Sequence, residues 1–143
     1  NAPDRRDDPV KHGEYLVTLM HCSACHATPD ANGLPDMTKP FAGGRAMQPF
    51  GPGLAQVGTG NLYASNLTPD PKTGIGTWSA DDIARSIATL VRPDGTLIRG
   101  PMQFYLAGWA VLDDRDRRAI AAYLMALAPV EHAVPRSTFV PTP

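Results

Sequence analysis

The sequence predicts an all-α domain of three or more helices, wrapped by long Gly/Pro-rich loops around a centre that side chains alone do not fill. Three observations lead there. Apolar residues recur at helical spacing in three segments, and the 48 residues from Pro29 to Gly76 hold seven prolines and nine glycines, too many breakers for regular structure. Aromatic residues make up only 7% of the 143, although apolar residues reach 43%, so the core is lean in large side chains. The length predicts one core rather than two.

Residues 1–8 read as a flexible, solvated lead, because the mixed run Asp4, Arg5, Arg6, Asp7, Asp8 offers nothing apolar to bury. It lacks the stretch of a signal peptide, so an export signal is expected to have been removed already. The first helix starts near Pro9, suited to a first turn, and runs through Tyr15, Leu16 and Leu19 towards His21, directly before Cys22. The second is capped by Ser79 with Asp82 three residues on. It sets Ile83, Ile87, Leu90 and Val91 on one stripe before Pro93 and Gly95 stop it. The third is capped by Asp113, with Asp116 three residues on, and places Ile120, Tyr123, Leu124 and Leu127 on one face before Pro129. The Gly/Pro-rich stretch carries Phe41, Phe50, Leu54, Val57, Leu62, Tyr63 and Leu67, which argues for a loop wrapped around something rather than a disordered linker. The expected body is 9–130, followed by a Pro-rich strap or linker at 131–143.

Charge excludes one class of function. Thirteen Lys and Arg against fourteen Asp and Glu leave a formal charge of -1 with no basic stripe, so nucleic-acid binding is not expected. No run of eighteen apolar residues provides a transmembrane helix.

Both cysteines of the chain fall in Cys22-Ser23-Ala24-Cys25-His26, the C-x-x-C-H pattern of covalent haem attachment. Each thiol adds to one haem vinyl group as a thioether, and the adjoining His26 binds the iron as the proximal ligand. A thioredoxin-type pair needs a βαβ context that this chain lacks. A structural zinc site needs a fourth ligand, and a disulfide here closes too small a loop to stabilise much. One haem c is therefore expected.

The sixth iron position decides between electron carriage and ligand chemistry. Met20 lies two residues before Cys22 and does not easily reach the opposite face. Met125 lies off the apolar stripe of the third helix, and Met37 and Met47 sit in the Gly/Pro-rich wrap, where gap-filling is the ordinary role. Met102 follows Gly100-Pro101 in a segment read as irregular and is the favoured ligand, with Met47, an open site or a second histidine as the alternatives. The Pro52 carbonyl is a candidate acceptor for the other nitrogen of His26. His12, His21 and His132 lie beside polar neighbours and read as surface residues.

Four segments carry a resemblance. They are His21-Cys22-Ser23-Ala24-Cys25-His26; Lys39-Pro40-Phe41-Ala42-Gly43-Gly44; Leu62-Tyr63-Ala64-Ser65-Asn66-Leu67-Thr68-Pro69-Asp70 running on through Thr73-Gly74-Ile75-Gly76 to Trp78-Ser79; and Ala122 to Val130. Together they resemble a class I cytochrome c, more narrowly the cytochrome c domains in electron-accepting subunits of bacterial periplasmic alcohol and aldehyde dehydrogenases. The resemblance covers Val10 to Val130. It implies that the first and last helices cross, with Gly13 close to the ring of Tyr123, that loops enclose the haem, and that Met102 is the axial methionine. It also implies that a haem propionate accepts from the Trp78 indole, which otherwise bonds a backbone carbonyl, with Tyr63 and Asn66 as weaker members of that network. Gln103 departs from the family, where Pro follows the methionine. Phe139-Val140-Pro141 looks like the start of the linker that follows such domains.

The function expected is electron transfer by a monohaem cytochrome, one electron at a time, with no bond chemistry of its own. The expected partners are a periplasmic dehydrogenase as donor and a terminal oxidase or other cytochrome as acceptor, the compartment being the bacterial periplasm. A haem enzyme or gas sensor with an open or labile sixth site, and a docking subunit within a dehydrogenase, are the rival classes.

Overall fold

The computed structural model describes residues 6–47, 58–104, 108–109 and 111–141. Helix α1 spans Pro9–Leu19, with Pro9 at its first position and Asp8 as its cap, the carboxylate accepting from the Lys11 backbone N–H. Helix α2, Cys22–His26, follows after His21, whose positive φ of 53° turns the chain sharply between the two. Helix α3 spans Ala80–Thr89 behind a complete Ser79–Asp82 capping box, a device that contributes about 1 kcal/mol. Helix α4 is a single turn, Pro101–Phe104. Helix α5 spans Asp114–Ala126, and its Asp113 cap accepts from the Asp116 backbone N–H.

The apolar stripes of α1, α3 and α5 meet in one core. Leu16 and Val17 of α1, Ile83 of α3 and Ala119, Ile120 and Leu124 of α5 are all buried there, joined by Phe41, Ile75, Trp109 and Leu112 from the connections. Gly13 is the point of closest approach between α1 and α5: a Cβ at this position meets the Ala119 carbonyl oxygen at 2.0 Å and the Tyr123 Cβ at 2.7 Å. The expectation placed the aromatic ring of Tyr123 there. The tighter neighbour is the α5 backbone, while the Tyr123 ring stands edge-on to Phe41 with centroids 6.0 Å apart.

Three expectations need correction. The second helix stops at Thr89, short of Val91, because Leu90 takes a left-handed conformation with φ 55°. Its side chain is still buried, and the chain returns as a hairpin in which Ile98 N–H donates to the Leu90 carbonyl. The all-α expectation holds for the core but not for the loops, where among the described residues four two-residue strands form two antiparallel pairs. Strand β1 (Ala46–Met47) pairs with β3 (Leu62–Tyr63), and β2 (Gly58–Thr59) pairs with β4 (Val140–Pro141). Lastly, His12 is not a surface residue. It is buried between α1 and α5, with Nε2 2.7 Å from the Asp116 carboxylate.

The tail returns across the loops. The Asn61 carbonyl accepts from Thr138 N–H, the Ser137 hydroxyl accepts from Tyr63 N–H, and β4 then closes on β2. Among the described residues no helix is long and apolar enough to cross a membrane.

Candidate haem site

Both thiols of α2 are free, half-buried, and carried on a five-residue helix that ends in His26. Burial pushes the Cys22 thiol up to about 11. A thiol so raised is protonated at neutral pH, the reverse of the lowered value that a dithiol redox pair or a thiolate metal ligand requires. Among the described residues no three His, Cys, Asp or Glu side chains converge as a metal site.

His26 is buried, and that burial pulls its pKa below the ordinary range, so the imidazole is neutral. Its Nδ1 lies 2.8 Å from the Ser65 carbonyl oxygen. A carbonyl only accepts, so Nδ1 carries the proton and Nε2 keeps its lone pair, the tautomer that an iron ligand needs. The Pro52 carbonyl was only a candidate for this acceptor. Pro52 lies outside the described residues, and the atom found at Nδ1 belongs to Ser65, 39 positions along the chain. Nothing in the local sequence marks that carbonyl, because any residue supplies one.

Met102 sits on α4, not in an irregular segment as expected, and is half-buried. Like Cys22, Trp78, Leu67 and Met20, it packs against the apolar core. Gly100, with φ 79°, carries the turn into α4; its N–H is accepted by the Gln103 side-chain oxygen at 3.2 Å, and its carbonyl accepts from Gln103 N–H at 2.9 Å. Trp109 escaped the sequence reading. It is buried, and its indole N–H donates to the Met102 carbonyl at 3.1 Å, tying the methionine segment to the core. Of the other methionines, Met37 is 64% exposed and Met125 38% exposed, while Met47 lies half-buried in β1 opposite Leu62.

Asn66 departs from expectation. Its amide N–H groups donate to the Thr73 hydroxyl and the Val130 carbonyl, with the His132 carbonyl at 3.4 Å, and its oxygen accepts from the Thr68 backbone N–H and hydroxyl. Every polar group of this buried side chain is committed to protein, leaving none for a propionate. Tyr63 lies half-buried in β3, with its backbone held by Ser137.

A neutral histidine with one nitrogen committed, beside two uncommitted thiols and a methionine on the same apolar cluster, suits a covalently held haem. No family model matches the chain. Relatives by sequence are nonetheless clear. The chain is 36% identical over 134 residues, 92% of its length, to the gluconate 2-dehydrogenase cytochrome c subunit of Pantoea cypripedii, of which it covers 26%. It is 31% identical over 125 residues, 87% of its length, to the cytochrome c subunit of a quinone alcohol dehydrogenase from Gluconobacter oxydans, covering 23% of that protein. A diheme cytochrome c-type protein of Cereibacter sphaeroides is 35% identical over 122 residues, 85% of the chain and 36% of the relative. The chain is thus a homologue of the cytochrome c subunits of bacterial dehydrogenases. It spans about a quarter of the length of the dehydrogenase subunits it matches.

Proposed function

We propose that the chain is a class I monohaem cytochrome c that passes single electrons from a dehydrogenase to a downstream acceptor, a terminal oxidase or another cytochrome, in the bacterial periplasm. The observation that carries this reading is the His26 Nδ1–H bond to Ser65 beside two free cysteines on α2. Cys22 and Cys25 would hold the porphyrin as thioethers, His26 Nε2 and the Met102 sulfur would ligate the iron, and Trp78 with Tyr63 would serve the propionates. When bound, haem supplies a one-electron ferric/ferrous couple. The protein's part is to keep His26 neutral and oriented, to hold Met102 by way of Trp109, and to surround the site with apolar residues that exclude water. Ligation by both His26 and Met102 would leave no iron position for substrate, which suits electron carriage rather than bond chemistry. The close crossing of α1 and α5 at Gly13 supports the class I fold, and the single C-x-x-C-H supports one haem.

Denaturing mass spectrometry tests attachment, with the expected mass being the polypeptide plus one haem; a bare polypeptide mass overturns the reading. Crosslinking in cell extract, followed by identification of the bound protein, tests for a dehydrogenase as neighbour. The ferric protein is expected to show the weak far-red band of sulfur-to-iron ligation. A spectrum without it points to the open-site enzyme or sensor.

A further inference from the structure

Two strands of loop flank His26, and the tail is bonded to both. On one side, Gly43 N–H donates to the His26 carbonyl at 2.7 Å. On the other, the Ser65 carbonyl accepts from the ring. The two loops touch directly, since a Cβ on Gly43, which has φ +75°, lies 2.6 Å from both the Ser65 carbonyl carbon and the Asn66 nitrogen. Any rise or tilt of either loop therefore moves the acceptor of the histidine proton.

The tail seizes each loop one residue from its contact with His26. The His132 Nδ1–H donates to the Ala42 carbonyl at 2.8 Å, next to Gly43, and its ring lies over Gly44, where a Cβ is 2.8 Å from the ring carbon Cε1. Asn66, next to Ser65, donates to the Val130 carbonyl at 2.9 Å. The Thr73 hydroxyl joins the two anchors by accepting from both the His132 N–H and the Asn66 amide. None of these bonds touches the iron ligands, yet together they close a ring of contacts around the Ser65 carbonyl.

Resting on the haem reading above, we propose that Val130–His132 is a clamp for the proximal ligand. Asn66 and His132 are its positioning residues, holding the Ser65 carbonyl against His26 Nδ1 and thereby setting the reduction potential. The physical link is the strength of the Nδ1–H bond. A firm acceptor makes the imidazole more electron-donating and favours ferric iron, whereas a loosened acceptor favours ferrous iron and raises the potential.

The test uses the haem-bearing protein and potentiometric titration with electron paramagnetic resonance of the ferric form. His132→Ala removes the bond to Ala42 and is expected to raise the ferrous-to-ferric ratio about threefold at fixed ambient potential, a shift of about 30 mV for a one-electron couple. His132→Asn keeps an N–H donor at the same position along the side chain and is expected to restore both the potential and the g values. Thr138→Ala cuts the same tail at its far end, where the Thr138 hydroxyl accepts from Asn61 N–H. It is expected to lower stability and leave the potential alone. Thr73→Val, with Thr73→Ser as its rescue, repeats the comparison should His132→Ala fail to fold. If the potential ignores His132 and Thr73, or follows Thr138 equally, the clamp is wrong and the tail is only a structural strap. A protein that carries no haem overturns the reading beneath the proposal instead, and mass spectrometry separates the two failures.

Discussion

The indole N–H of Trp109 donates to the backbone carbonyl of Met102 at 3.1 Å, so the segment with the expected iron ligand hangs from a core residue seven positions later. Trp109→Phe keeps an aromatic ring in the core, but it loses the second ring of the indole and strips the donor from a carbonyl that then has one partner fewer. It is expected to lower stability by about 1 kcal/mol and to make the far-red band disappear at lower denaturant than global unfolding does. Coincident loss of band and fold in the variant means that Trp109 does not secure the ligand.

Met102→His is expected to keep a six-coordinate, low-spin iron while lowering the potential, because the softer thioether favours ferrous iron more than imidazole does. The shift should be a substantial part of the ~0.8 V range that axial ligands set. An unchanged spectrum and potential here, with changes on replacing Met47, makes Met47 the ligand.

Gly13→Ala drives a methyl group into the α5 backbone, since the nearest atom is the Ala119 carbonyl oxygen at 2.0 Å and no side-chain rotation relieves it. A loss of about 3 kcal/mol is expected in chemical denaturation as α1 and α5 are forced apart. Retention of wild-type stability shows that the helices cross elsewhere.

Asp70 accepts from the Thr73 hydroxyl and from the backbone N–H groups of Lys72 and Thr73, and these bonds hold its carboxyl below the ordinary aspartate range. A depressed value contributes stability above the unfolded pKa and loses it as pH falls through the folded one. The melting-temperature gap between the protein and Asp70→Asn should therefore be full at neutral pH and shrink below about pH 4. A gap independent of pH excludes the charge as its source.

Gln103 is exposed, and its side-chain oxygen accepts from Gly100 N–H. Gln103→Glu keeps an oxygen for that bond and adds a negative charge beside the segment carrying Met102. The electron-transfer rate with the native partner is expected to shift at low salt and to converge with wild type at high salt, the potential moving little. A rate indifferent to the change at low salt places the docking surface elsewhere.

Local rules made the helices legible. Pro9 at a first turn, Ser79 with Asp82, and Asp113 with Asp116 each act within three residues, and all three helices begin where those signals stand. The C-x-x-C-H spacing is likewise a property of one turn of chain. What needed the tertiary structure is every contact made across sequence distance. That Ser65 faces His26, that Asn66 grips the tail rather than a propionate, that Trp109 holds Met102, and that His12 is buried on Asp116 all depend on which backbone groups meet after the loops have packed. Backbone carbonyls carry no sequence signature, and a side-chain amide satisfies a main chain as readily as a carboxylate. The sequence by itself therefore determined where the three long helices begin and pointed to the attachment chemistry, whereas packing decided the short helices α2 and α4 and which atoms meet across the loops.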